Sequence, residues 1–347
     1  MTKLLVYRFS AMGDVVLLLP VLKGALDANH DLEIYFLTQS GFFPVFQNID
    51  RLNLIEADIK GKHKGFAGLF NLFLKIKREI KPDKVIDVHS VIRTITLDVL
   101  FWITGHRVTI FKKGTVSKLQ VVKSKLLVSL PNTIDRYKEA FINAGFPVNL
   151  PEPPVLQESE DHLNYPDLFN KSIIIGIAPF AKHKQKIWGV SKVENLIVEI
   201  NKSYDAKILL FGGGKSELEI LNKLSRKYSN CIVSADYFRF SEEIHVFSKL
   251  SVMISMDSAN MHLASMAGIP TISIWGATHP ALGFAPYKQP SENIIQYDGD
   301  KLPCRPCSVY GNKECIYSDS IRCMEYIPVE TVLDRINQIL SSDSELK

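Results

Sequence analysis

The chain has 347 residues, 46% hydrophobic and 22% charged, with a formal net charge of +4, the make-up of a globular protein of two ordinary domains. No apolar run approaches the ~20 residues of a bilayer-spanning helix, and Arg8 with the loop behind it interrupts any signal-peptide core in MTKLLVYRFSAMGD. These totals exclude a bundle of membrane-spanning helices and lead to the expectation of a cytoplasmic protein.

The charge is unevenly spread. Residues 60–125 hold 15 Lys/Arg against 4 Asp/Glu, so the rest of the chain is net acidic. A basic N-terminal half suits an anionic acceptor or an anionic membrane surface, although an ordinary solvated face gives the same count.

Leu4–Phe9 reads as an apolar strand, Ser10-Ala11-Met12-Gly13-Asp14 as a turn, and Val15–Ala28 as a helix in which Pro20 marks a kink or a fresh first turn. Asp14 thus stands at the carboxyl end of the first strand, where α/β sheets place ligands; a plain helix cap explains it without chemistry. Glu33–Thr38 is a second strand, Phe42–Phe46 begins a helix, Leu54–Glu56 is a short strand and Lys60–Gly68 is a basic loop. Leu69–Ile80 has amphipathic helical spacing and Pro82 breaks it before the strand Lys84–Val88. His89 and Arg93, four apart, are expected on one face of a starting helix, fit to hold an acceptor sugar or phosphate. Decoration of a helix terminus accounts for them equally. Val108–Phe111, a basic helix near Ser117–Leu127 and a helix over Thr133–Ala144 complete a first domain of residues 1–150.

Pro147–Asp167 is rich in proline and acid, which places a linker at 151–170 and a second domain at 171–327. Ser172–Ile177 is a buried strand, Pro179–Trp188 its lysine-rich loop, and Ser191–Lys202 a helix with a capping box from Ser191 to Glu194. The strand Lys207–Phe211 runs into Gly212-Gly213-Gly214-Lys215-Ser216-Glu217. Its Gly-Lys-Ser ending fails as a P-loop because Leu209 stands at the place of the first glycine. The turn is expected to line a nucleotide site, with Glu217 against a ribose. Phe240 is a candidate to pack on the base, or else a core aromatic.

Val252–Ser255 is a strand, Met256–Asn260 a turn, Met261–Ala267 a helix stopped at Gly268, and Thr271–Trp275 a further strand. A helix starting past a strand end offers unpaired N–H groups and a positive dipole end to a diphosphate. Asp257 or Ser258 as a mere cap is the plain alternative, but Asn260, His262, Thr278 and His279 crowd the same strand end. Cys304, Cys307, Cys315 and Cys323 form Cys-x2-Cys-x7-Cys-x7-Cys, with only one close pair, so structural zinc, reduced thiols and a disulfide all remain open. Residues 328–347 read as a terminal helix.

The stretch SMDSANMHLASMAGIPTISIWGATHP resembles the C-terminal signature of the family 9 glycosyltransferases, the heptosyltransferase-like enzymes. Asp257, Ser258, His262, Gly268, Pro270, Gly276, Thr278 and Pro280 match, while Ala259 replaces a usual glycine. Residues 8–15 are similar to the family's N-terminal motif, and Lys186-Ile187-Trp188 to its Lys-x-Trp element, with Gly189 where proline is usual. The resemblance implies a GT-B fold, two Rossmann-like doubly wound α/β domains facing each other across a cleft, with the terminal helix often crossing back to the first. It implies inverting transfer with Asp14 as the base. Lys186 and the N–H groups around Ser258, Ala259 and Met261 would stabilise the donor diphosphate. Asp257 would hold sugar hydroxyls or order the loop, and His262 would reach a phosphate or sustain the turn.

The donor so implied is ADP-heptose or a relative. The acceptor is a lipopolysaccharide-core or similar anionic glycolipid on the cytoplasmic face of the inner membrane, reached by peripheral contact. No catalytic metal, cofactor or nucleic acid is expected, and the chain is expected to be a monomer. Rival readings are a nucleotide-sugar epimerase of the same architecture, for which no second acid–base pair is evident, and an inert nucleotide- or carbohydrate-binding module. A dinucleotide oxidoreductase fails because Phe9–Asp14 lacks Gly-x-Gly-x-x-Gly and strand two ends Leu37-Thr38-Gln39 without an acid.

Overall fold

The computed structural model describes residues 1–156, 170–297, 302–317 and 320–345. Backbone contacts divide the chain into two units, Met1–Gly114 with Pro131–Val155, and Thr115–Leu130 with Leu156–Lys347. The expected linker falls mostly outside the described residues.

The chain opens with β1 (Thr2–Tyr7), α1 (Met12–Val16), α2 (Leu19–Ala28), β2 (Leu32–Thr38), a 3-10 turn over Ser40–Phe46, and β3 (Leu52–Glu56). There follow α3 (Gly65–Glu79), β4 (Lys84–Asp87), α4 (Ile92–Ile103), β5 (Arg107–Ile110), α5 (Thr115–Ser124) and α6 (Thr133–Asn143). Pro20 lies in the first turn of α2, so the proline starts a fresh helix. The five strands form one parallel sheet of order β3-β2-β1-β4-β5. A strand covered on both faces needs a continuous apolar run, and Leu4, Leu5, Val6 and Tyr7 are all fully buried. The strand order reverses between β1 and β4. The loops after these two strands therefore open side by side.

α5 does not continue the first unit, as its place after β5 predicts. The Lys118 ammonium sits 4.0 Å from the Phe284 ring centroid. Lys125 donates to the carbonyls of Cys304 and Pro306 at 2.9 and 2.8 Å, and Leu130 N–H donates to Ala281 O at 2.8 Å. These bonds tie the segment to the second unit.

The second unit continues with β6 (Ile173–Ala178), α7 (Val190–Ser203), β7 (Ala206–Leu210), α8 (Lys215–Lys227), β8 (Cys231–Val233) and α9 (Phe240–Val246). β9 (Val252–Met256), α10 (Ala259–Met266), β10 (Thr271–Trp275), β11 (Ile294–Gln296), α11 (Arg322–Glu325) and α12 (Val329–Glu345) complete it. Its parallel sheet runs β11-β10-β9-β6-β7-β8, with the reversal between β6 and β9. The predicted capping box of α7 does not form. Gly189, at φ +107°, is the N-cap, so Ser191 lies inside the helix, and Glu194 turns sideways to Lys227 and Tyr228. α12 belongs to the second unit. Val332 and Ile336 are fully buried in the second unit's core, where α12 packs on α7. Among the described residues no helix is long and apolar enough to cross a membrane.

Candidate active site

In an open parallel sheet, ligands lie beyond the carboxyl ends of the strands where the order reverses. In the second unit that place is shared by the loops after β6 and β9. The β6 loop is pinned by Trp188, which is buried, donates its indole N–H to Ile327 O at 3.1 Å and its backbone N–H to Met256 Sδ at 3.4 Å. This anchorage brings Lys186 to the end of β9, where its Nζ meets Asp257 Oδ2 at 2.7 Å and the Asp257 carbonyl at 3.3 Å. Thr278, from the loop after β10, donates to the same Oδ2 at 2.7 Å. The Lys186 and Asp257 side chains are only 14% and 9% exposed, so the pair is held away from bulk water. Two of the three ammonium hydrogens are spent. Among the described residues no protein group takes the third, and none donates to Asp257 Oδ1.

Beside this pair starts α10. Its N-cap Ser258 is extended and makes no side-chain cap bond; its hydroxyl pairs with Ser255 Oγ at 3.2 Å instead. The first N–H groups of α10 thus have no capping side chain. Ala259, the departure from the usual glycine, is the first helical residue and has no positive φ, so an L side chain fits there without backbone strain. The loop after β10 is fixed by Arg305, whose guanidinium donates to the carbonyls of Gly276 at 2.7 Å, Thr278 at 3.2 Å, and Tyr297. A Cβ on Gly276 would lie 2.8 Å from Gln185 O, so only glycine allows the β6 and β10 loops to meet here.

The first unit repeats the arrangement at the β1/β4 reversal with different groups. Arg8, just past β1, is buried, donates to Val88 O and meets Asp14 Oδ2 at 2.7 Å. Its guanidinium lies 5.6 Å from the Tyr137 ring centroid, and the Tyr137 hydroxyl donates to Asp14 O at 3.2 Å. The Asp14 side chain, in the first turn of α1, is 32% exposed. Among the described residues no protein group donates to its Oδ1.

Under this pair lies a buried scaffold. Asp87 Oδ1 accepts the N–H groups of His89 and Ser90 at 2.6 and 2.8 Å, and the Tyr7 hydroxyl donates to Asp98 Oδ1. Burial, and then the Asp87 charge, push the Asp98 carboxyl up to about 8. Asp87 Oδ2 and Asp98 Oδ2 are both buried without a hydrogen-bond partner, which a proton held on Asp98 relieves. His89 Nδ1 accepts the Phe9 N–H at 3.4 Å, so Nε2 carries the hydrogen and donates to Ser10 Oγ at 3.3 Å. Burial, then Arg8 and Lys113, lower its pKa to about 3, which keeps the ring neutral.

The family model for glycosyltransferase family 9 (heptosyltransferase) matches residues 85–316. The chain belongs to that family. It is 24% identical over 180 residues to lipooligosaccharide heptosyltransferase 2 of Campylobacter jejuni, an overlap of 50% of this chain and 53% of the relative, so the match spans about half of that protein. A family 9 glycosyl transferase from Veillonella parvula superposes with a TM-score of 0.76 at 19% identity, over 98% of both chains. The ADP-heptose LPS heptosyltransferase II of E. coli gives 0.69 at 16%, over 99% of this chain and 100% of that one. The two parallel α/β units are those of the GT-B fold.

Against this family frame, Lys186, Asp257, Ser258 and Ala259 gather at one strand-end site, with Thr278 as the third partner. His262 is buried one turn into α10. Glu217 Oε2 accepts the Gly213 N–H at 2.9 Å and so orders its own turn, and Phe240 opens α9 half-buried. The expectation that His89 and Arg93 share a helical face is corrected. Asp87 holds the backbone of His89 and Ser90 in a turn, α4 begins only at Ile92, and His89 points inward while Arg93 is exposed.

Arg305, Asp87, Asp98 and Tyr7 were not singled out as site groups by the sequence. The spacing of Tyr7 and Asp98, 91 residues apart, carries no local signal. All five cysteines are free thiols, and among the described residues no group of three or more His, Cys, Asp or Glu is arranged to hold a metal. Burial, with Cys304 adding to it, pushes Cys307 up to about 12, so it is no thiolate nucleophile near neutral pH.

Proposed function

We propose that the chain is an inverting glycosyltransferase that moves a heptose or related sugar from a nucleotide diphosphate, ADP-heptose, to a lipopolysaccharide-core or similar glycolipid. The observation that carries this reading is the Lys186–Asp257–Thr278 arrangement beside the uncapped start of α10. Departure of the nucleotide loads negative charge on its diphosphate. The third N–H of Lys186 and the first N–H groups of α10 meet that charge from fixed positions, so little reorganisation is needed in the transition state. Asp257 Oδ1 accepts a donor-sugar hydroxyl. Glu217 Oε1 and the half-exposed Phe240 ring serve the ribose and base, and His262 supports the α10 turn from inside.

In the first unit Arg8 fixes one oxygen of Asp14 and leaves Oδ1 to take the proton from the acceptor hydroxyl as it attacks the anomeric carbon. Arg93, exposed at the start of α4, is placed for an acceptor phosphate, and His89 acts through Ser10 by bracing the β1 loop. The enzyme works as a monomer in the cytoplasm, in peripheral contact with the inner membrane.

The test is thermal stabilisation by ADP, UDP and GDP, followed by transfer from ADP-heptose with the product's anomeric configuration read by NMR. ADP raises the melting temperature most, and sugar moves with inversion. A chain that no nucleotide stabilises, or that epimerises the donor without an acceptor, overturns the reading.

A further inference from the structure

We infer that the outer faces of α3 and α4 form a docking surface for an anionic lipid bilayer. α3 is apolar on two sides. Leu69, Leu72, Phe73 and Ile76 face the sheet and are buried, yet Phe66, Phe70 and Leu74, spaced by four, are 67%, 39% and 46% exposed. The Phe66 and Phe70 rings stack on the surface with centroids 6.2 Å apart. α4 repeats the pattern, with Leu97, Leu100 and Phe101 inward and Ile95, Val99 and Trp102 exposed by 46%, 50% and 71%. The helices pack side by side, Phe73 edge-on to Phe101 at 4.9 Å, so the two outer stripes adjoin.

An apolar stripe on the outer face of a helix, opposite the one that covers the sheet, is left without protein cover, and a contiguous exposed apolar patch marks an interaction site. Cations rim this patch: Lys64 before α3, Lys75, Lys77 and Arg78 along its last turns, and Arg93 and Arg107 about α4, all exposed. Of the exposed acids nearby, Glu79 is bonded to Arg78 at 2.9 Å and Asp83 accepts the Lys3 N–H at 2.8 Å. Beside Trp102 a recess of about 640 Å³ is lined in part by Lys84, His106 and Arg107, large enough for a phosphate head group. Phe and Trp on an apolar face with a basic rim is the composition of an interfacial anchor. A second copy is the poorer occupant, because pairing two such faces opposes like charges.

The inference deepens the glycolipid-acceptor reading and rests on it for its purpose, but its test needs no acceptor. The full chain is mixed with vesicles of phosphatidylglycerol and phosphatidylethanolamine, or of phosphatidylcholine alone, and binding is followed by flotation and tryptophan emission. Trp188 and Trp275 are buried at 3% and 0% exposure, so the exposed Trp102 reports contact. Emission shifts to the blue on anionic vesicles, is quenched by acyl-brominated lipid, and weakens as salt is raised. Phe66→Ser with Phe70→Ser lowers binding about tenfold or more while melting is unchanged. Lys75→Gln and Lys77→Gln each lower it about fivefold.

Absence of flotation and of a blue shift at low salt overturns the inference, as does lipid binding indifferent to the two serine substitutions. A blue shift that grows with protein concentration without lipid, in a sedimenting dimer, assigns the face to a second copy instead. If vesicle binding fails while transfer to a deacylated acceptor persists, only the docking face falls. Vesicle binding with no transfer to any acceptor leaves the docking face standing and removes the transferase reading.

Discussion

The loop after β1 and the loop after β6 occupy equivalent places in two sheets of the same kind, and each contributes a cation to an ion pair. The pairs differ in which member is the deeper. In the first unit the guanidinium of Arg8 is the hidden member and the Asp14 carboxylate is one-third exposed. In the second the carboxylate of Asp257 is the deeper group, bonded by Thr278 as well, and the Lys186 ammonium keeps a free hydrogen. On the proposed reading one fold is used twice, once to offer an oxygen to a proton and once to offer a positive charge to a diphosphate. In the first pair burial leaves the carboxylate as the group open to a ligand; in the second, at 14% and 9% exposure, one Lys186 hydrogen and Asp257 Oδ1 are both left without a protein partner among the described residues.

The sharpest way to break this comparison is to disable one side without disturbing the other. Asp14→Asn keeps an oxygen for Arg8 but removes the base, so transfer is expected to fall by about 10²–10⁴-fold with donor affinity and melting temperature nearly unchanged. Loss of donor binding in this variant would mean that Asp14 organises the fold. Lys186→Met leaves Asp257 buried without its cation. A cost of ~3 kcal/mol in stability is expected from urea unfolding, together with loss of ADP binding.

The protonation of the first unit's scaffold can be read from stability against pH. Asp98 titrates higher in the folded chain than when unfolded, so its contribution is fully present below about pH 4 and is lost as pH rises through about 8. Asp98→Asn should therefore gain stability relative to the parent across that window and level off above it. A flat difference would show that the two carboxyls share no proton. His89 runs the other way. Its depressed pKa gives stability present above about pH 6.5 and lost as pH falls toward about 3, which is why the variant must be compared with the parent and not read alone.

The smallest effect concerns the packing behind Lys186. Gly311 has φ +77°, and a Cβ there would approach Lys186 Cε at 2.8 Å. Gly311→Ala is expected to cost ~1–2 kcal/mol and to weaken ADP binding a few-fold in the same titration. Unchanged binding would show that the cysteine-rich segment does not steady the lysine.

Much of this was legible in the sequence wherever a strand and its turn are contiguous. β1, β9 and β10 appear as apolar runs closed by Ser, Asp or Gly, β6 as one closed by Pro179, and the Asp257 and Lys186 motifs were visible as separate stretches. Their pairing was not, since it depends on which strands become neighbours across 71 residues. The Asp87–Asp98–Tyr7 scaffold was illegible for the same reason, and because a lone Asp in an apolar helix carries no pattern. α5 was placed with the wrong unit, because its basic composition says nothing of which ring and carbonyls Lys118 and Lys125 will find. His89 misled by spacing. A four-residue interval means a shared face only once the helix has begun, and the Asp87 turn delays it to Ile92.

The division of labour between the two strand-end pairs is tested most directly by calorimetric titration of ADP into Asp14→Asn and Lys186→Met side by side. The expected result is parent-like affinity in the first and loss of binding in the second, although both variants fail to transfer sugar. Parent-like binding in Lys186→Met, or its loss in Asp14→Asn, would contradict the account.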